Sequence, residues 1–252
     1  MITWIMRAIT SLQHPIVKHF VKLRNSRAYR KEVNTALIVG TKLVQELSAL
    51  TSFKTFIIEE GAQPLSVKAE ETFSVTPGIL KKISGVDQPE PYAAEIFLPA
   101  PANLKGKKRI LAFDGISDPG NLGTLLRSAL ALGWDGAFIV QGSADPFNEK
   151  ALRAAKGATF HIPICEGSSA ELQELIEKES LSVYIADMDG KRVEEQEIRE
   201  PLILIMGSES HGVRFNPKEG SKKVAIPMDQ KMESLNVAVA GSILMYLIGS
   251  KQ

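Results

Sequence analysis

The chain has 252 residues, of which 44% are hydrophobic and 23% are charged, and its formal net charge is +1. These totals are typical of a globular protein with one large or two smaller domains. They exclude a protein that coats nucleic acid through a surface that is basic all over. No apolar run is long enough to cross a bilayer and residues 1–15 lack the apolar core of a secretory signal, so we expect a cytoplasmic protein.

The first hundred residues predict a small α/β domain, because helical and strand patterns alternate along them. In chain order these are a helix at 15–31, a strand at 36–40, a helix at 41–50, a strand at 53–60, a helix at 76–84 and a strand at 92–99. Prolines and lysines then indicate an exposed linker. We therefore expect a first domain at 1–100, a linker at 101–108 and a second domain at 109–252.

Basic residues are concentrated at the start of the chain, with no acidic residue before Glu32. Local basic surfaces of this kind suit a polyanion, and the candidates here are Lys18, Lys22, Arg24 and Arg27. The alternative for such a cluster is a solvated helix face that binds nothing.

The second domain has a more regular pattern, in which strands and helices alternate and several strands are continuously apolar. The predicted strands are 109–115, 136–140, 159–165, 181–187, 201–207 and 222–227, and the predicted helices are 120–133, 148–157, 168–180 and 237–248. This pattern indicates a parallel sheet covered on both faces. The single cysteine, Cys165, falls on a strand, so we interpret it as a core thiol and expect no metal site.

Ligands bind beyond the carboxyl ends of such strands, and three polar, mostly glycine-rich corners lie there. The first corner, FDGISDPGNLGTLLRSA, matches neither the dinucleotide fingerprint nor the phosphate loop. Asn121 is placed to cap the following helix, and Arg127 projects from its second turn. Considered alone, Arg127 is better explained as a solvated helix position flanked by core leucines.

The second and third corners are LILIMGSESHGV and VAIPMDQKMESLNVAVAG. Ser210 and His211 in the second suggest a serine hydrolase, but the nucleophile elbow is GxSxG and Gly207 stands three residues before Ser210. A polar turn is the alternative interpretation. In the third corner, either Ser234 or Asn236 is a normal cap for the terminal helix.

Together the three corners resemble the SpoU (TrmH) family of RNA ribose 2′-O-methyltransferases, in the SPOUT class. The family's motifs appear in order as NLGTLLR, IMGSESHG and IPM…SLNV, and the resemblance covers Lys108 to the C-terminus. The first hundred residues resemble the family's RNA substrate-binding domain. The resemblance implies S-adenosylmethionine as cofactor, a C-terminal trefoil knot and a homodimer formed through the terminal helix.

The resemblance also assigns roles to residues. The implied catalytic residues are Arg127, Asn121, Glu209, Ser234 and Asn236. The implied cofactor contacts are Gly207, Ile226 and Leu235, mainly through backbone groups, together with Met206 and Met228. The expected substrate is 23S rRNA, and the alternatives are a tRNA ribose methyltransferase or a non-catalytic RNA-binding or ribosome-assembly factor.

Overall fold

The structure is a computed structural model, and it describes residues 7–217, 220–229 and 231–250. The chain divides into two compact units. The described part of the first comprises residues 7–99 and 147–153, and the second comprises residues 100–146 and those from 154 onward. Within the described ranges, no helix is both long enough and apolar enough to span a bilayer.

The first unit is a five-stranded mixed sheet with helices, as the α/β pattern predicts. Its elements are β1 (Arg7–Ile9), α1 (Pro15–Asn25), α2 (Arg27–Val33), β2 (Thr35–Val39), α3 (Thr41–Ser48), β3 (Phe53–Glu59), β4 (Ala69–Val75), α4 (Pro77–Ser84) and β5 (Tyr92–Phe97). The strand order is β1-β4-β3-β5-β2, in which β5 runs antiparallel to both β3 and β2. Val17, Phe20 and Leu23 of α1 pack into its apolar core.

The single helix predicted at 15–31 is wrong, because the structure breaks it at Ser26. Ser26 has an extended backbone (φ −123°, ψ 110°), and its hydroxyl accepts a hydrogen bond from the Tyr29 amide at 3.2 Å. A serine in this position satisfies an amide at the start of the next helix, so the chain begins α2 in a new direction. The buried Arg30 closes the corner by donating to the carbonyls of Leu23 and Arg24.

The second unit is a six-stranded, wholly parallel sheet with helices. In chain order, the helices and strands after β5 are β6 (Arg109–Asp114), α5 (Pro119–Ala131), β7 (Gly136–Val140), α6 (Glu149–Ala155), β8 (Ile164–Gly167), α7 (Ser169–Lys178), β9 (Ser182–Arg192), β10 (Leu202–Gly207), β11 (Lys222–Ala225) and α8 (Val237–Gly249). All except part of α6 belong to the second unit. The strand order is β11-β9-β10-β6-β7-β8. The predicted parallel sheet is confirmed. Residues of α6 up to Arg153 group with the first unit.

Each central strand is apolar on both faces because both faces of this sheet are covered. Along β10, Leu204 and Met206 face one apolar core, whereas Ile203 and Ile205 face the other. Side chains alternate between the two faces of a strand, so a continuously apolar strand fits only a sheet buried on both sides. Helices α5 and α8 cover the first face, and α7 covers the second.

Helix α8 lies close to the sheet because Gly241 has no side chain. A Cβ at Gly241 would stand 2.4 Å from a methyl carbon of Leu125 on α5 and 3.2 Å from the methyl carbon of Met206. This approach is possible only for glycine, since any Cβ there would displace a packed core side chain. The packing fixes the start of α8 beside the ends of β6 and β10.

One predicted strand begins later in the structure than in the prediction. The strand predicted at 159–165 begins only at Ile164, because the Phe160 and His161 amides donate to the carbonyls of Gly157 and Ala158 in a 3₁₀ turn. Cys165 lies on β8, where burial, followed by nearby carboxylates, raises the pKa of its thiol. That shift disfavours the thiolate, as expected for a core thiol.

Candidate active site

A cavity of about 310 Å³ lies beside the carboxyl ends of β10 and β11 and the middle of β9, in a parallel sheet of the kind that binds ligands beyond its strand ends. All five residues predicted to contact the cofactor line it, namely Met206, Gly207, Ile226, Met228 and Leu235. Its walls are mostly apolar, with Val224, Val237 and Leu244 among them. Its volume is at the lower end of the range typical of small-molecule sites.

Three predicted catalytic side chains meet at this cavity in one hydrogen-bonded cluster. Oε1 of Glu209 accepts from Nδ2 of Asn236 at 3.0 Å and from Nδ2 of Asn121 at 3.4 Å. Asn236 Nδ2 also donates to Oδ1 of Asn121 at 3.1 Å. The three motif corners, whose cluster residues are 88 and 27 residues apart in sequence, therefore converge on one carboxylate.

The start of α8 contributes to the same cluster. Oε1 of Glu209 accepts from the Val237 amide at 3.1 Å, and Oδ1 of Asn236 accepts from the Ala238 amide at 3.0 Å. A carboxylate at a helix N-terminus is stabilised by the free amides and the helix dipole. Asn236 is therefore both the cap of α8 and a member of the cluster. Ser234 is exposed and lines the cavity without capping the helix.

The predicted cap of the first corner is wrong. The structure begins α5 at Pro119, and Asp118 is its cap, with Oδ1 accepting from the Asn121 amide at 2.8 Å. The side chain of Asn121 is consequently free of the capping role and points into the cluster with Glu209. An Asp-Pro pair at a helix start was the sequence signal for this arrangement.

Arg127 lies on α5, is exposed, and forms no hydrogen bond or ion pair with a described residue. The structure therefore does not join it to the Asn121–Glu209–Asn236 cluster. Its guanidinium carries a permanent positive charge and is available to an anionic ligand.

The turn after β10 forms the cavity wall. Ser208 and Gly212 exchange two backbone hydrogen bonds of 3.1 and 2.9 Å. A Cβ at Gly207 would lie 2.1 Å from the Gly212 carbonyl carbon, so only glycine fits between the strand end and the returning chain. Within this turn the Ser210 hydroxyl lies 2.7 Å from Nδ1 of His211. Among the described residues, no carboxylate contacts the His211 ring, so the pair lacks the orienting acid of a hydrolase triad.

Sequence reasoning missed two acidic residues near the site. Asp187 on β9 lines the cavity and pairs with Lys223 at 2.7 Å, and this ammonium, with the Asp189 amide, holds the pKa of Asp187 below its usual value. Asp114 ends β6, and its Oδ2 accepts from the Arg214 and Phe215 amides. Asp114 was visible in the sequence as a lone carboxylate ending an apolar strand. Among the described residues, no group of His, Cys, Asp and Glu could hold a metal ion.

The four basic residues predicted to contact RNA belong to the first unit and have different environments. Lys18 and Lys22 are exposed on α1, and the Lys22 ammonium lies 4.0 Å from the Tyr29 ring centroid. Arg24 donates to the carbonyls of Lys82 and Ile83 at the end of α4, at 2.9 and 3.2 Å. Arg27 is half-buried at the start of α2. Arg24 therefore has a structural use within the unit.

Comparison with known proteins identifies similar chains. Residues 108–246 match the SpoU rRNA Methylase family. The Bacillus subtilis protein named 23S rRNA (guanosine(2553)-2′-O)-methyltransferase RlmP is 32% identical over 96% of this chain and 98% of its own length. A Bordetella pertussis protein named 23S rRNA (guanosine-2′-O-)-methyltransferase RlmB is 32% identical over 57% of this chain and 60% of its own length. The AdoMet-bound rRNA methyltransferase from Sinorhizobium meliloti superposes with a TM-score of 0.83 at 25% identity, covering 98% of each chain.

Proposed function

Because the chain belongs to the SpoU rRNA Methylase family, we propose that it transfers the methyl group of S-adenosylmethionine to a ribose 2′-hydroxyl of 23S rRNA. The observation that carries this proposal is the cavity at the strand ends, with the Asn121–Glu209–Asn236 cluster at its edge. The B. subtilis relative supports the substrate, since its name specifies 23S rRNA and it aligns along almost the whole of both chains.

The cavity fits S-adenosylmethionine in its chemistry. Apolar side chains supply most of the wall, and the two charged residues that line it within the described chain, Asp187 and Glu209, are both acidic. Carboxylates complement the positive sulfonium and ammonium groups of this cofactor. Backbone groups of Gly207, Ile226 and Leu235 would hold it, with Met206 and Met228 as apolar walls.

When bound, S-adenosylmethionine supplies an electrophilic methyl group on a positively charged sulfur. The protein then has to align a ribose 2′-hydroxyl with that methyl group, and positioning of this kind lowers a barrier by several kcal/mol. Asn121, Ser234 and Asn236 would orient the ribose with their amide and hydroxyl groups. Glu209 would keep both asparagine side chains in place, since its Oε1 accepts from each of them.

Arg127 would bind a backbone phosphate of the target nucleotide. Its guanidinium stays protonated in proteins and so cannot accept the hydroxyl proton itself. A bidentate contact would fix the phosphate instead, and a phosphate oxygen would take the proton. The exposed position of Arg127 and its lack of a partner among the described residues support this role.

The first unit would serve as the RNA substrate-binding domain over residues 1–100, joined by a linker at 101–108 to the methyltransferase domain at 109–252. Lys18 and Lys22 would contact phosphates, because both are exposed on one helix and lie one turn apart. Arg27 would join them. Arg24 would act indirectly, by fixing the end of α4 against α1.

Two further properties belong to the proposal. The second unit would contain a trefoil knot, supported by the close passage of the Gly212–Val213 backbone against Gly207. It would also form a homodimer through α8, on which Val239 and Tyr246 are 49% and 62% exposed. An exposed apolar helix face of this kind suits a self-complementary interface. We place the enzyme in the cytoplasm, with the rRNA it would modify.

The test is transfer of labelled methyl from S-adenosylmethionine to unmodified 23S rRNA, 16S rRNA and bulk tRNA in parallel. We expect label in 23S rRNA alone. Label in tRNA alone would identify a tRNA methyltransferase instead. Tight cofactor binding without label in any RNA or in assembling ribosomal particles would indicate a non-catalytic assembly factor.

A further inference from the structure

Asp114 is a buried carboxylate that the proposed chemistry does not use. It is 5% exposed and ends β6, where it is the register neighbour of Gly207 at the end of β10. Its Oδ2 accepts two short hydrogen bonds, from the Arg214 amide at 2.5 Å and from the Phe215 amide at 2.6 Å. These bonds join the end of β6 to a segment about a hundred residues later, beyond the turn that follows β10.

The segment that Asp114 holds follows directly on the wall of the cavity. Ser208 and Gly212 close a turn by exchanging backbone hydrogen bonds, and Ser208, Glu209 and Ser210 of this turn line the cavity. On one side, the backbone at the end of the turn packs directly against Gly207. On the other side the chain continues through Arg214 to Phe215, which is 7% exposed and packs in the core. Asp114 therefore holds the chain where it leaves the turn, and the end of β10 holds it where the turn begins.

We propose that Asp114 is a positioning residue for methyl transfer, acting through the turn at residues 208–212. By holding the Arg214 and Phe215 amides it sets where Gly207 and Glu209 stand relative to the cofactor cavity and to Asn121. This inference rests on the proposed function, since it names a further residue on which that same site depends.

A carboxylate suits this position for a physical reason. The Phe215 amide is buried and the Arg214 amide partly buried, so loss of their acceptor would carry a desolvation cost, and hydrogen bonds to an ionised acceptor are about twice as strong as neutral ones. Loss of the acceptor would allow the segment to move toward water, and the turn would move with it. The cavity would then lose its wall, whereas the sheet would keep its apolar cores.

The experiment compares Asp114→Ala, Asp114→Asn and a matched control, Ser143→Ala. Ser143 is equally buried, and its hydroxyl bonds the Phe113 carbonyl and the Gly115 amide on either side of Asp114, both at 3.0 Å. For each variant we would measure the Tm, the Kd for S-adenosylmethionine by calorimetry, and hydrogen exchange in the peptide that contains residues 208–217.

We expect Asp114→Ala to weaken S-adenosylmethionine binding about tenfold or more and to speed exchange in the 208–217 peptide. Asp114→Asn should recover most of the affinity, because its amide oxygen can still accept both bonds. Ser143→Ala should lower the Tm with little change in affinity. If Asp114→Ala folds poorly, Asp114→Asn decides, because its neutral acceptor binds the two amides more weakly and should still speed exchange in the 208–217 peptide relative to Ser143→Ala. Equal exchange rates in these two variants would overturn the positioning role.

Unchanged affinity in Asp114→Ala, or an equal loss of affinity in Ser143→Ala at the same fall in Tm, would overturn the positioning role. Failure of the unmodified protein to bind S-adenosylmethionine would instead overturn the proposed function, and the inference with it. The two failures are therefore distinguished by the unmodified protein alone.

Discussion

Glu209 offers a test of the cluster that joins the three motif corners. Its Oε1 accepts from Asn236 Nδ2 at 3.0 Å, from the Val237 amide at 3.1 Å and from Asn121 Nδ2 at 3.4 Å. Glu209→Ala removes the common acceptor, so both asparagine side chains lose the bond that orients them. Glu209→Gln is the matched control, because it keeps an oxygen acceptor of the same length and loses only the charge.

The magnitude follows from these bonds. A hydrogen bond to a charged group contributes about 1.5–3 kcal/mol and a neutral one about 0.5–1.5 kcal/mol. Glu209 is exposed, so water replaces part of what the alanine variant loses, and we expect a cost of about 1–3 kcal/mol in transition-state stabilisation. That corresponds to a fall of about 5- to 150-fold in kcat/KM. Glu209→Gln should cost about 1 kcal/mol, or about fivefold.

Single-turnover methyl transfer to 23S rRNA measures this effect apart from product release. Thermal unfolding of the same samples checks that both variants are folded. Because Glu209 also accepts from the Val237 amide at the start of α8, we expect the alanine variant to lose about 0.5–2 kcal/mol of stability while remaining folded. An alanine variant within twofold of the unmodified rate, with its fold intact, would refute the role of Glu209 in orienting Asn121 and Asn236.

Three other changes test separate parts of the account. Arg127→Ala should abolish transfer and leave the Tm and the Kd for S-adenosylmethionine unchanged, because Arg127 contacts no described residue; near-normal turnover would remove it from the mechanism. Replacing both Lys18 and Lys22 with glutamate should weaken RNA binding and make the affinity less dependent on salt, as measured by filter binding from 50 to 200 mM salt. An unchanged salt dependence would mean that neither lysine contacts RNA and that both only face solvent. Burial alone would raise the pKa of Glu95, but hydrogen bonds and charge from His19, Thr35 and Lys54 lower it to about 2. Its contribution to unfolding free energy should therefore be present above about pH 4.5 and be lost as the pH falls toward 2, a pH dependence that Glu95→Gln should lack in acid-unfolding curves.

The sequence predicts best those elements whose apolar pattern depends only on their own burial and not on which segments are their neighbours. Strands such as β10 are continuously apolar because both faces are covered, and the pattern holds whatever the neighbouring strands are. The motif corners were likewise visible, because glycine and polar residues interrupt the apolar pattern at strand ends. The resemblance of these corners to the SpoU family then assigned Gly207, Ile226 and Leu235 to the cofactor site, and all three line the cavity.

The features that the sequence did not predict depend on contacts between distant segments or on a choice between local bonds. In the sequence, Asp114 cannot be distinguished from any other acidic residue at the end of a strand. Only the fold brings the Arg214 and Phe215 amides within hydrogen-bonding distance of its carboxylate. The sequence predicts that Arg24 is a surface residue that contacts RNA, whereas in the structure its guanidinium donates to a carbonyl at the end of α4. Ser26 breaks a helix whose apolar spacing continues through it, because its hydroxyl competes for a backbone amide.

The most direct test of the central claim is methyl transfer to a 23S rRNA fragment in which the target ribose carries hydrogen in place of its 2′-hydroxyl. The account predicts that the unmodified fragment takes up one labelled methyl group and that the deoxy fragment takes up none, with similar binding of both. Equal labelling of the two fragments would contradict it, because the methyl group would then be going to an atom other than the ribose oxygen.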